Sequence, residues 1–156
     1  MKLTPSQFRN ALGITQETLR HWRNMLPIFH GRLGYAPVFT PGDLVAGAVI
    51  KELRYTYGIS IKKFAIPSAS LGKVCNETPW NTLSNSTLLL TLADNSCKLV
   101  PSHQKSNLDS PCIAIPLSKI MDRLTKSLLL ENGQPQHPFY FPLTAVEDQQ
   151  RKFGRT

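Results

Sequence analysis

Gly13-Ile14-Thr15-Gln16-Glu17-Thr18-Leu19-Arg20-His21-Trp22-Arg23 reads as a turn followed by a short helix. Gly13 suits the left-handed backbone that ends one helix, and Thr15 is placed to cap the next. Leu19, Trp22 and Leu26 recur at helical spacing and predict the inward face of that second helix. Gln16, Glu17, Arg20, His21, Arg23 and Asn24 are left outside. They form a donor-rich set able to meet phosphates or base edges in a major groove.

Working outward, Thr4-Pro5-Ser6-Gln7 predicts a helix start: Thr4 caps, Pro5 fits the first helical position, and Gln7 stands where a capping-box partner belongs. Phe8, Ala11 and Leu12 then make one apolar face. Two short helices joined by a tight glycine turn are a helix-turn-helix, with its second helix over 15–26. Pro27 stops that helix, and residues 31–39 alternate turn and apolar residues, which predicts a short hairpin or wing. Thr40-Pro41-Gly42-Asp43 is a second capped start, and Leu44, Val45, Ala48, Val49, Ile50 and Leu53 carry the helical spacing on to Gly58. Ser60 restarts a short helix through Ile61, Phe64 and Ala65. Lys62 and Lys63 fall at its start, where cations are electrostatically unfavourable; phosphate contact is a reason to keep them there.

Charge points the same way. The chain has 156 residues and a net charge of +8. Residues 1–66 hold nine basic side chains against three acids, whereas 67–156 hold nine against seven. A polyanion binder places its excess in this manner.

In order, the capped helix, Gly13-Ile14-Thr15 with Thr18-Leu19-Arg20 and Trp22, Gly34-Tyr35, Phe39-Thr40 with Asp43-Leu44, and Leu53-Arg54 with Gly58-Ile59-Ser60 resemble the winged-helix DNA-binding domain of the MerR superfamily over residues 3–66. The resemblance implies that the helix after Gly13 reads the major groove and that the wing reaches backbone or minor groove. It sets Thr18, Arg20 and Trp22 on motif positions tied to DNA contact or positioning, and Tyr35 on the wing tyrosine. Trp22 also suits a core anchor, a large ring at inward spacing. Where the family has arginine after the wing tyrosine, this chain has Ala36 and Pro37, and Arg32 is the candidate replacement from the other side of the loop. Arg23 stands where the family commonly carries an acid, which strengthens attraction for phosphate. The expected DNA-contacting set is Gln16, Thr18, Arg20, His21, Arg23, Arg32, Tyr35, Lys62 and Lys63.

Residues 67–86 are rich in small polar side chains and read as a linker with a short helix. The pattern then turns to strands at 87–92, 97–100 and 112–117, with turn residues Asp94 and Asn95 favouring a hairpin. Ser118 is placed to cap a helix with Leu117, Ile120, Met121, Leu124 and Leu128 on one face, ending near Gly133. Residues 87–131 thus predict a small α+β module for dimerisation or for an effector. Alone it would bury little, so pairing with a second copy is expected to stabilise it. MerR relatives dimerise through a long helix that this chain lacks; either the β-containing half takes its place or the protein works in a different assembly. Residues 132–156 read as a mobile basic tail.

Cys75, Cys97 and Cys112 are too far apart for a compact soft-metal site and fit reduced thiols, so no metal or cofactor is expected. Nor does the chain carry a phosphate loop, a nucleophile elbow or a zinc-protease helix, which argues against an enzyme. With no membrane-length apolar run and no signal-peptide core, a cytoplasmic location is expected. The fold expected is α+β, a winged helix-turn-helix followed by a β-hairpin and helix module. The function expected is that of a sequence-specific transcriptional regulator, a homodimer on double-stranded DNA, with RNA polymerase or a phage or mobile-element protein as further partner. The alternative is a mobile-element DNA protein resembling an excisionase or a phage packaging small subunit.

Overall fold

Thr4 begins the first helix, α1 (Pro5–Leu12): its hydroxyl accepts from the Gln7 amide at 3.2 Å, and the Gln7 side chain accepts from the Thr4 amide at 2.9 Å. The computed structural model describes residues 1–131. Gly13, at φ 62°, closes α1. The Thr15 hydroxyl then accepts from the Thr18 amide at 3.1 Å and opens α2 (Gln16–Met25). After a 3-10 turn at Pro27–Phe29 and a loop, Thr40 and Asp43 form a second capping box that opens α3 (Pro41–Tyr55). A further 3-10 turn covers Ile61–Phe64.

These elements close around four rings. Phe8 stacks on Phe39 with centroids 4.1 Å apart, Phe29 meets Phe8 edge-on at 5.6 Å, and Trp22 lies parallel to Phe29 at 6.1 Å. All four side chains are buried. Trp22 is therefore a core anchor, and α2 is held by its inner face.

Residues 31–38 do not make the expected hairpin. The only pairing nearby is an isolated antiparallel bridge between Leu3 and Phe39, so the segment is a loop clipped to the N-terminus. Gly31 and Gly34 sit at φ 74° and 85°, outside the strand region, and Pro37 has no amide to donate. Those positions serve turns, and no strand forms on either side of them.

Residues 67–86 are not a linker. They form α4 (Pro67–Glu77) and α5 (Trp80–Ser84); α4 packs against α3 and buries Leu71, Gly72 and Cys75. Within that stretch Gly72 faces Ile28, whose side chain an added Cβ would meet at 2.5 Å. A Cβ on Gly42 would lie 2.7 Å from the Asn76 Cα, so only glycine lets the start of α3 pass the end of α4.

The sheet comprises β1 (Ser86–Thr91), β2 (Ser96–Pro101) and β3 (Ile113–Pro116), all antiparallel, in the order β2-β1-β3. Leu88, Leu90, Cys97 and Ile115 turn inward, and α4 packs on β2. α6 (Ser118–Glu131) follows, burying Ile120, Met121, Leu124 and Leu128 against α1, α3 and α5. Its first backbone bond runs from the Met121 amide to the Leu117 carbonyl at 2.8 Å, so Ser118 lies inside the helix and Leu117 precedes it. One continuous core joins the residues before and after position 66. The chain's own α4 supplies burial that the sequence pattern assigned to a second copy. The expected tail at 132–156 lies outside the described residues. Among those described, no helix is long and apolar enough to cross a membrane.

Candidate nucleic-acid interface

On α2, residues four apart form rows along the helix. Gln16, Arg20 and Asn24 make one exposed row, and Glu17 and His21 another. Leu19 and Trp22, buried, fix the helix from behind. Arg20 enters no ion pair among the described residues, so its five donors are available outward. Thr18 is half-buried and belongs to the cap, its hydroxyl 2.9 Å from that of Thr15.

The His21 row faces a groove whose other wall is Arg54, Ser60 and Lys62. Lys62 and Lys63 are both exposed on the 3-10 turn. The structure thus brings Gln16, Arg20 and His21 onto one side of α2 and sets Lys62 across a groove from His21. Tyr35, 93% exposed, stands out from the loop.

Two of the expected contacts face elsewhere. Arg32 turns inward: one guanidinium nitrogen donates to the Val38 carbonyl and the other bridges Asp43 at 3.0 Å. Asp43 is fully buried and also accepts from the Thr40 amide at 2.9 Å and the Asn76 side chain at 3.1 Å. That acid neutralises the Arg32 charge, so Arg32 braces the loop instead of offering a free cation to phosphate. Arg23 is half-buried, with its guanidinium 5.6 Å from the Phe39 ring centre. Its Nε and Nη2 are covered and have no hydrogen-bond partner among the described residues. Burial, and then the neighbouring Arg9, hold its pKa below the ordinary arginine value. Arginine nevertheless stays charged at neutral pH. Arg9 and Arg23 therefore reinforce positive potential, although Arg23 is not a free arm.

Sequence reading passed over Arg54 as a member of this surface. Spacing from Leu53 places Arg54 on the outer side of α3, but its position opposite His21 depends on the angle at which α2 meets the 3-10 turn. No local pattern encodes that angle.

Cys75 and Cys97 belong to the core. Burial raises the Cys75 thiol pKa strongly, with further upward pushes from Cys97 and Asp43, and burial alone takes Cys97 up to about 12. Cys112 is half-buried. Among the described residues, no three His, Cys, Asp or Glu side chains are grouped to hold a metal ion. No protein-family model matches the chain, and no curated protein or solved structure was found to be similar to it.

Proposed function

We propose that this chain is a sequence-specific DNA-binding transcriptional regulator that reads double-stranded DNA with α2, in a MerR-like helix-turn-helix whose wing is the loop at 31–38. The observation that carries this is the outer row of α2. Gln16, Arg20 and Asn24 are exposed on a helix locked from behind by Leu19 and Trp22, and among the described residues the arginine has no acid to neutralise it. A helix held in this way presents a fixed set of donors at the spacing of base edges, and Arg20 suits bidentate contact with a guanine. His21, Lys62 and Lys63 meet the backbone beside it, and Tyr35 reaches from the loop. Arg32 acts indirectly, by shaping that loop.

A helix-turn-helix monomer covers few base pairs, so the protein works as a homodimer on two half-sites. Sedimentation of the free protein and of its complex with DNA measures that stoichiometry.

Selection of bound sequences from a random pool, followed by titration, tests the assignment. Arg20→Ala is expected to cost about 1–3 kcal/mol on the selected duplex and much less on mixed sequence. Equal losses on both would remove Arg20 from base readout. Mapping bound sites across the genome tests the biological role: promoters support a regulator, whereas an attachment or packaging site moves the protein to mobile-element work.

A further inference from the structure

We infer that the β1–β2 turn is a second contact arm for duplex DNA, carrying the sugar-phosphate backbone across a cleft beside Lys62 and Lys63. The proposal rests on the DNA reading above and extends it to a part of the chain outside the helix-turn-helix. Its basis is a junction at Lys62. On one side Lys62 walls the groove that holds His21 and Arg54; on the other it lines a second cleft with Lys63, Ile66, Leu92, Ala93 and Asn95. The two grooves share this lysine, so α2 and the hairpin turn lie on either side of it.

The lining of the second cleft matches one ligand chemistry. Among the described residues, its only charges are the two lysines, both exposed. The rest is apolar apart from Asn95, and Ile66 stands 69% exposed, a large aliphatic surface open to water. Deoxyribose presents an apolar edge and phosphate an anion, and a backbone lying in the cleft satisfies both at once. The turn itself is well defined. Asp94 accepts from the Ser96 amide at 3.1 Å, and Asn95 takes the left-handed conformation at φ 55°. Asp94, the acid of the turn, does not line the cleft. An anionic membrane would also suit lysines beside an isoleucine, but Lys62 also walls the groove beside His21 of α2 and Arg54, which favours a duplex.

Charge placed at Ala93 tests the arm, because this residue is exposed at the cleft rim and a change there leaves the core intact. The full-length protein is titrated with a mixed-sequence duplex of about 30 base pairs over a range of salt concentrations. Ala93→Glu is expected to weaken binding about tenfold and to lower the salt slope by about one, and Ala93→Lys to tighten binding about threefold. Ala114→Glu, on exposed β3, carries the same charge change away from the cleft and is expected to stay within about twofold of the parent. Equal losses from Ala93→Glu and Ala114→Glu, with the Arg20→Ala defect on its selected sequence intact, would overturn the arm and leave the α2 assignment standing. Failure of the parent protein to bind any duplex would overturn both. Retention on anionic vesicles that Ala93→Glu abolishes, with duplex affinity unchanged, would overturn the arm in favour of a membrane contact.

Discussion

α2 and α3 open on the same signal, a threonine hydroxyl accepting the amide three residues on, and become opposite kinds of helix. In α2, only Leu19 and Trp22 of ten residues are buried; in α3 nine of fifteen are, including Asp43. The cap decides where a helix begins, and what surrounds it decides its use. α3 packs against α1, α4 and α6, and only near its end do Arg54 and Tyr55 stand exposed. α2 keeps its outer row. The cations divide in the same way: Arg32, beside the start of α3, is neutralised by Asp43, whereas Arg20 on α2 has no such partner among the described residues.

Matched substitutions at the third helical position, Asp43 in α3 and Thr18 in α2, break or sharpen that contrast. Asp43→Ala removes the ion pair with Arg32 and the acceptors for Thr40 and Asn76. It is expected to cost roughly 3–5 kcal/mol in urea unfolding, as the loss of one partner of a buried pair does. Thr18→Ala gives up only a hydroxyl contact to Thr15 and should cost less than about 1 kcal/mol. Comparable losses would mean that α2 is as deeply integrated as α3.

Gly42→Ala comes next. The added methyl meets the backbone of Asn76 at 2.7 Å, which cannot swing away as a flexible side chain would. Overpacking of this kind is expected to cost about 1–3 kcal/mol, seen as a lower unfolding midpoint, with α4 losing amide protection before α2 does. Uniform loss of protection would show that α4 is no weaker a partner than the helices around it.

Most of α1 to α3 was legible because its signals are local: Thr4 with Gln7, Thr15 with Thr18, and Thr40 with Asp43 each find their partners within three residues. The loop at 31–38 was not, because its shape depends on Leu3 pairing with Phe39 and on Arg32 reaching Asp43, eleven residues away. Residues 67–86 misled for a related reason. Ser68 and Gly72 look like linker composition, yet both are buried against neighbours that only the fold brings near. In the candidate site the positions of the cations were legible and their directions were not. Arg20 points outward as helical spacing requires, but Arg23 lies over Phe39, a ring far along the chain that only the fold brings to it.

Arg20→Ala sharpens the contrast from the other direction. An exposed side chain with no ion pair is expected to change stability by no more than about 0.5 kcal/mol while weakening DNA recognition. Destabilisation as large as that from Asp43→Ala would show that the α2 face is structural.

The smallest effect belongs to Glu52, which ties the outer side of α3 to α6. Its carboxylate accepts from Arg123 at 2.9 Å, and that bond is the main cause holding its pKa below the ordinary glutamate value, against a smaller upward push from burial. A depressed carboxylate pKa stabilises the fold above the unfolded value, and the gain is lost as pH falls through the folded one. Both side chains meet solvent, at 63% for Arg123 and 30% for Glu52, so the pair is worth only about 0.2–1 kcal/mol and is screened by salt. Glu52→Gln should therefore be slightly less stable than the parent at about pH 7, and the gap should close as pH falls through the depressed folded pKa, where the parent loses the charge as well. A gap that persists in acid would assign the contact to packing between α3 and α6, and the outer side of α3 would then hold the fold together by shape, as its core does, with charge adding nothing.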